Sequence, residues 1–224
     1  MNRLTHLSPG RSLCKRERRI AHLMDGARKT PTDGFAVVED WMIPTTPPTQ
    51  VGQWDKKSFY KDKSHTSMSF YCWDTSFNRL LDFPDDYLEE LRQYESIIGP
   101  DASPYDNMPL WFQKNQIGLN LALTHFFGRH GIKVIPNVRL GDIRTCSSLE
   151  AYPQHTLIAI GTHGFIKSRN NHDIFETEVQ KIVDTLLPTG IIVYGSAPDW
   201  LFPPLFTDGI PIYQYPSFLE KRGQ

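Results

Sequence analysis

The sequence has little cysteine. Three residues, Cys14, Cys72 and Cys146, stand far apart in a chain of 224, and no two have Cys-x-x-Cys spacing. That pattern offers neither a zinc ribbon nor an iron–sulfur cluster, and it fits a reducing, cytoplasmic compartment. Gly-x-x-x-x-Gly-Lys-[Ser/Thr] and Gly-x-Gly-x-x-Gly are both missing, so no phosphate loop is written into the chain. There is no His-Glu-x-x-His pair, and Ser196 lacks the Gly-x-Ser-x-Gly surround of a nucleophile elbow, which disfavours serine hydrolase chemistry. No apolar run approaches the length of a membrane span, and the basic N-terminus has no apolar signal core behind it. No membrane contact is therefore expected. Nor does the sequence show an internal repeat at a fixed period or a coiled coil.

What is present is a globular composition. Hydrophobic residues make up 39% and aromatics 12%, enough for one domain with a well-covered core. The formal net charge is only −1, but it is unevenly spread. Residues 1–30 hold eight basic side chains against Glu17 and Asp25, whereas the remainder carries 16 basic and 23 acidic residues. A basic arm on an acidic body either binds nucleic acid or docks on that body.

The first third reads as irregular, with a short helix within 12–29, an apolar stretch Phe35-Ala36-Val37-Val38 that is expected as a first strand, and a Pro-rich linker at 44–49. From about Ser67 the pattern becomes regular. Strands are expected at 68–73, 96–98, 132–138, 156–160, 191–194 and 210–213, with Pro136 confined to a strand edge or end. Helices are expected from Pro84, from Pro109 to about His130, and over 172–187, where Phe175, Val179, Ile182, Val183 and Leu186 form one stripe. Alternating short apolar strands and helices predict an α/β fold: a mostly parallel sheet of about six strands with flanking helices, open or curled into an incomplete barrel. The expected division is an irregular basic N-terminal arm and linker over residues 1–65, packing on an α/β domain over residues 66–224.

In parallel sheets, ligands bind where the carboxyl ends of the strands converge. That rule selects Asp74, then Asp101 and Tyr105, then Asn137, Arg139 and Asp142, then Thr162 and His163, and finally Gly195 and Ser196. Asp101, Asp142 and His163 are the candidate catalytic groups. Carboxylates with a histidine hold a divalent metal or work as an acid–base pair, whereas Asp and Asn at such junctions also cap helices. The glycines beside Thr162 and Ser196 allow close backbone approach by a ligand, or simply a turn. Trp41, Trp54, Phe59 and Tyr60, among Lys56, Lys57, Lys61 and Lys63, form a basic aromatic stretch. It suits single-stranded nucleic acid, and equally an arm packed across the domain.

Four motifs occur in order: Gly99-Pro100-Asp101 to Met108-Pro109, Val134-Ile135-Pro136-Asn137-Val138-Arg139-Leu140-Gly141-Asp142, Ala159-Ile160-Gly161-Thr162-His163-Gly164, and Ile192-Val193-Tyr194-Gly195. Over roughly residues 66–218 they resemble an uncharacterised family of bacteria, phages and mobile elements, the domain of unknown function 4417. The resemblance implies a phage or mobile-element setting and supports Asp101, Tyr105, Asn137, Asp142 and His163 as rim residues. It implies no activity. The family pattern carries an aromatic residue where this chain has Leu140. Two functions are thus expected as alternatives. One is an enzyme at the strand-end rim, a metal-assisted hydrolase or nucleotide-directed transferase taking a small-molecule or nucleotide ligand. The other is a non-catalytic module binding nucleic acid or protein through residues 1–63.

Overall fold

The computed structural model describes residues 14–162, 172–198, 200–201 and 209–222. It is an α/β protein whose described residues form seven strands: β1 (Gln50–Gln53), β2 (Thr66–Ser69), β3 (Ser96–Ile98), β4 (Val134–Ile135), β5 (Leu157–Gly161), β6 (Gly190–Tyr194) and β7 (Ile212–Tyr215). Every pairing is parallel, and the spatial order is the order along the chain. Helix α1 (Lys15–Leu23) precedes β1, α2 (Asn78–Asp82), α3 (Leu88–Leu91), α4 (Leu110–Arg129) and α5 (His172–Leu186) lie between the strands, and α6 (Phe218–Arg222) follows β7. Tight helical turns at Trp54–Phe59 and Ile143–Ala151 complete the connections. Among the described residues, no helix is long and apolar enough to cross a membrane.

The expectation of one six-stranded sheet is corrected. There are two sheets, of four strands (β1 to β4) and three strands (β5 to β7), and the additional strand is β1. Proline explains the split. Pro136 has no N–H, so the β4 ladder stops after two residues. Pairing across the break survives as a single parallel bridge between Asn137 and Ala159. The Ala159 N–H donates to the Pro136 carbonyl at 2.8 Å, and the Val138 N–H donates to the Ala159 carbonyl at 3.0 Å. The stretch 35–38 is not a strand either. It offers only one antiparallel bridge, Ala36 to Lys29.

The two sheets curve around a common interior. One buried cluster takes Val51 from β1, Ile98 from β3, Ile135 from β4, Ala159 from β5 and Ile192 and Tyr194 from β6, with Tyr71 just beyond β2 and Tyr213 and Tyr215 of β7 packed against it. The barrel is not closed. On the β1 side the connection to the second sheet is made by side chains: the Tyr194 hydroxyl, from β6, donates to Gln53 Oε1 at 2.9 Å, and that of Tyr215, from β7, donates to the Pro48 carbonyl just before β1. Two outer cores, under α4 and α5, cover the remaining faces. Burial on both faces explains why β5 and β6 read as continuous apolar runs.

Helix α1 docks on the body. Arg19 pairs with Asp82 at 2.5 Å, and Arg129 of α4 holds Asp25 at 2.9 Å and the His22 carbonyl at 2.9 Å. Three of the four lysines of the basic aromatic stretch, Lys56, Lys57 and Lys63, are also engaged. Lys57 donates to Glu90 at 2.7 Å while lying 4.2 Å over the Trp54 ring, Lys63 donates to Gln93 at 3.0 Å, and Lys56 pairs with Asp55 at 2.9 Å.

At the end of β5, the sequence meets a steric limit. A Cβ on Gly161 would stand 2.5 Å from a ring carbon of Tyr71, which is itself stacked on Tyr194. Overpacking of this kind costs about 1–3 kcal/mol. Gly161→Ala should therefore lower the melting temperature by several degrees in thermal unfolding followed by circular dichroism. An unchanged midpoint would mean that the Tyr71 ring is free to move aside.

Candidate functional site

The carboxyl ends of the strands enclose a cavity of about 780 Å³. Its wall draws Gln53, Asp55 and Lys56 from beyond β1, Tyr71 to Asp74 from beyond β2, and Asp101 and Ser103 to Asp106 from beyond β3. Arg139, Leu140 and Gly141 follow β4, Phe175 and Glu178 come from α5, and Ser217 and Phe218 close the far side. The floor is a chain of hydrogen bonds between three of those loops. The buried Tyr71 hydroxyl donates to Asn137 Oδ1 at 2.8 Å, and Asn137 Nδ2 donates to Asp101 Oδ1 at 2.8 Å. Arg139 Nη1 reaches both Asp101 oxygens, at 3.2 and 3.1 Å. Burial, reinforced by the Asp101 charge, pushes the Tyr71 phenol well above its usual range, so it stays protonated and donates.

Helix α4 places the loop that carries Asp101. Asn120 clamps Ala102 from both sides, accepting from its N–H at 2.9 Å and donating to its carbonyl at 3.0 Å. Gln113 Nε2 donates to the carbonyls of Asp106 at 3.1 Å and Met108 at 2.8 Å, and to Asp142 Oδ2 at 2.8 Å. Gly141 is required beside it, because a Cβ there would stand 2.2 Å from Gln113 Oε1. Gln113 and Asn120 on one helix thus hold two site loops at once.

Two further carboxyls face the cavity. Asp74 is raised above the usual carboxylate range by burial, with Ser103 as its hydrogen-bond partner at 3.4 Å from N and 3.5 Å from Oγ. Glu178 is 8% exposed. Burial pushes it up to about 7, Arg139 opposes the shift, and the charges of Asp106 and Asp142 add to it. It has no hydrogen-bond partner among the described residues. Cys72, on the same wall, is pushed up to about 12 by burial and is therefore a thiol, not a thiolate. Among the described residues, no three His, Cys, Asp or Glu side chains converge on a common metal-holding point.

The residues selected from the sequence divide clearly. Asp74, Asp101, Tyr105 and Arg139 line the cavity, and Asn137 supports it from beneath. Asp142 faces away. Its side chain caps the turn beginning at Ile143, accepting from the Arg144 N–H at 2.8 Å, and it pairs with the Arg144 guanidinium at 2.7 Å. The Arg144 hydrogen bond holds Asp142 down to about 2. Thr162 ties strand ends together, its hydroxyl donating to the Ser196 carbonyl at 2.7 Å. Gly195 adopts φ +104°, its N–H donating to the Tyr215 carbonyl at 2.9 Å, and Ser196 is exposed. None of these three lines the cavity. His163 lies outside the described residues. Leu140, the position that departs from the family pattern, is a wall residue.

Sequence reasoning passed over Glu178 and Tyr71. Glu178 did carry a signal, since it stands three residues after Phe175 and four before Ile182, on the buried stripe of α5. A carboxylate on an apolar stripe marks a group kept despite its desolvation.

A family model described as Domain of unknown function (DUF4417) matches residues 32–216. The match takes in Asp74, Asp101, Arg139 and Glu178. The "Gene 1 protein" of Mycobacterium phage L5 is 22% identical over 167 residues, which span 73% of this chain and 70% of that protein. No solved structure matches the chain.

Because Glu178 binds its proton more tightly folded than unfolded, its stabilising neutral form is complete below pH 4.5. That contribution is lost as pH rises through about 7. The loss amounts to roughly 3 kcal/mol at most. Glu178→Gln should accordingly be more stable than the wild type at pH 8, with the gap closing as pH falls to 4. Denaturant titrations across that range check this, and parallel curves would show that Glu178 titrates normally.

Proposed function

This chain belongs to the DUF4417 family, and we propose that its function is performed in the strand-end cavity, which binds a small organic ligand and moves a proton on it. The observation that carries this reading is Glu178: a carboxyl nine-tenths buried, without a hydrogen-bond partner among the described residues, on the wall of the strand-end cavity. A group with its pKa near neutrality is suited to both accept and return a proton. Asp101 and Arg139 neutralise one another and are held on two sides, so they serve as a rigid polar floor that orients the ligand. A transferase or a hydrolase working through proton transfer fits this arrangement. A volume of about 780 Å³ suits a ligand of drug or nucleoside size. The nucleic-acid alternative finds less support, because Arg19, Lys57 and Lys63 are paired to the body.

A thermal-shift screen of the full chain, run against nucleosides, amino acids, sugars and polyamines, tests this proposal. A ligand that binds only the folded state stabilises it by about 2.7 kcal/mol at a hundredfold excess over Kd. Hits should raise the wild-type midpoint and lose most of that effect in Tyr105→Ala and Asp74→Asn. Hits that stabilise both variants as well as the wild type, or a screen with no hit, would overturn the proposal.

A further inference from the structure

Beside Glu178 the pairing of β4 with β5 comes apart. The last rung across the Pro136 break runs from the Val138 N–H to the Ala159 carbonyl, and the Ala159 N–H bonds the Pro136 carbonyl. Ala159 thus turns both backbone groups towards the β4 side, and in a parallel ladder every second residue of a strand faces the same neighbour. The next such residue is Gly161. Among the described residues, no backbone hydrogen bond joins Gly161 to residues 138–140, so the ladder ends one rung short. A recess of about 10 Å³ lies at that point, between the strand ends and α5. Val138, Ile160 and Ile182 form the apolar part of its wall, whereas Arg139, Gly161 and Glu178 line both the recess and the strand-end cavity. One water needs about 10–15 Å³ and two to four polar partners, and a purely apolar hole of this size stays dry. This one is not purely apolar. Gly161, without a side chain, presents only its backbone. Glu178 is buried and has no hydrogen-bond partner among the described residues, a costly state for a carboxyl.

We infer that this recess is a binding site for a single water molecule, hydrogen-bonded to the Glu178 carboxyl and to the backbone of Gly161. The water completes the ladder that the two strands leave open, as ordered waters do for buried backbone groups without a protein partner. It also gives Glu178 a partner between α5 and the strands, one that stays in place when a ligand fills the strand-end cavity. The recess needs no ligand in that cavity, so the water site stands or falls apart from the small-ligand reading.

A crystal structure of the full chain, at a resolution that shows ordered water, tests the site. Magnetisation transfer from water to the methyl groups of Val138, Ile160 and Ile182 tests it in solution. The wild type should show one water within hydrogen-bonding distance of both Glu178 and Gly161, and cross-peaks from those methyls to a long-lived water. Glu178→Gln retains a donor and an acceptor and should keep both signals. Glu178→Leu completes the apolar stripe of α5 and should lose both. No water at this point in the wild type would overturn the inference, as would a water that persists in Glu178→Leu. Should Glu178→Leu not fold, the other two proteins decide: water in both upholds the site, and its loss from Glu178→Gln overturns it. A ligand screen without a hit would sink the small-ligand reading alone.

Discussion

A carboxylate buried among apolar strand ends is tolerated only if its charge is met, and Asp101 is such a group. Asn137 and Arg139, both beyond β4, meet it. The rest of the site follows from keeping that contact. Asn137 must present its amide nitrogen to Asp101, so its oxygen needs a donor, and the Tyr71 hydroxyl supplies one from a different loop. Tyr71 can lie there only because residue 161 has no side chain. The loop carrying Asp101 is fixed from the other side by Asn120. One ion pair therefore couples the ends of four strands and a helix.

Much of this was legible in the sequence. The apolar runs of β5 and β6, the long helix from Pro109 and the α5 stripe all identify themselves by periodicity. The strand-end rule then finds Asp101, Asn137 and Arg139, because parallel topology converts positions after strands into neighbours. What escaped had physical reasons. Strand β1, Gln50-Val51-Gly52-Gln53, is four residues long with polar ends, and it is specified by pairing with β2, not by its own pattern. The division into two sheets comes from one missing N–H at Pro136, whose effect depends on where the neighbouring strand lies. Asp142 has the composition of a site residue and the geometry of a cap. The two roles differ only in the direction of the side chain, which Arg144 and Gln113 determine.

The charge asymmetry of the sequence also acquires a structural meaning. The acidic segment around Asp82 receives Arg19 of α1, and Asp25 receives Arg129. In this part of the chain, opposite charges fasten an N-terminal helix over α4 and its neighbours. Exposed pairs of this type contribute little each. The apolar contact of Leu23 with the core under α4 contributes alongside them.

The side-chain seam that ties the β1 edge to β6 and β7 bears on the order in which the molecule assembles. Each backbone ladder joins strands adjacent along the chain, so each can form once its own crossover has closed. The bonds across the seam are different. Tyr194 to Gln53 spans 141 residues and Tyr215 to Pro48 spans 167. Contacts of such long range form late, after the loops they enclose are already ordered. Because Tyr194, Ser217 and Phe218 belong to the cavity wall, the enclosed space comes into existence only with that last step. A chain growing from its N-terminus on the ribosome would carry four paired strands and the complete Asp101–Arg139 floor before it had any pocket to put them in.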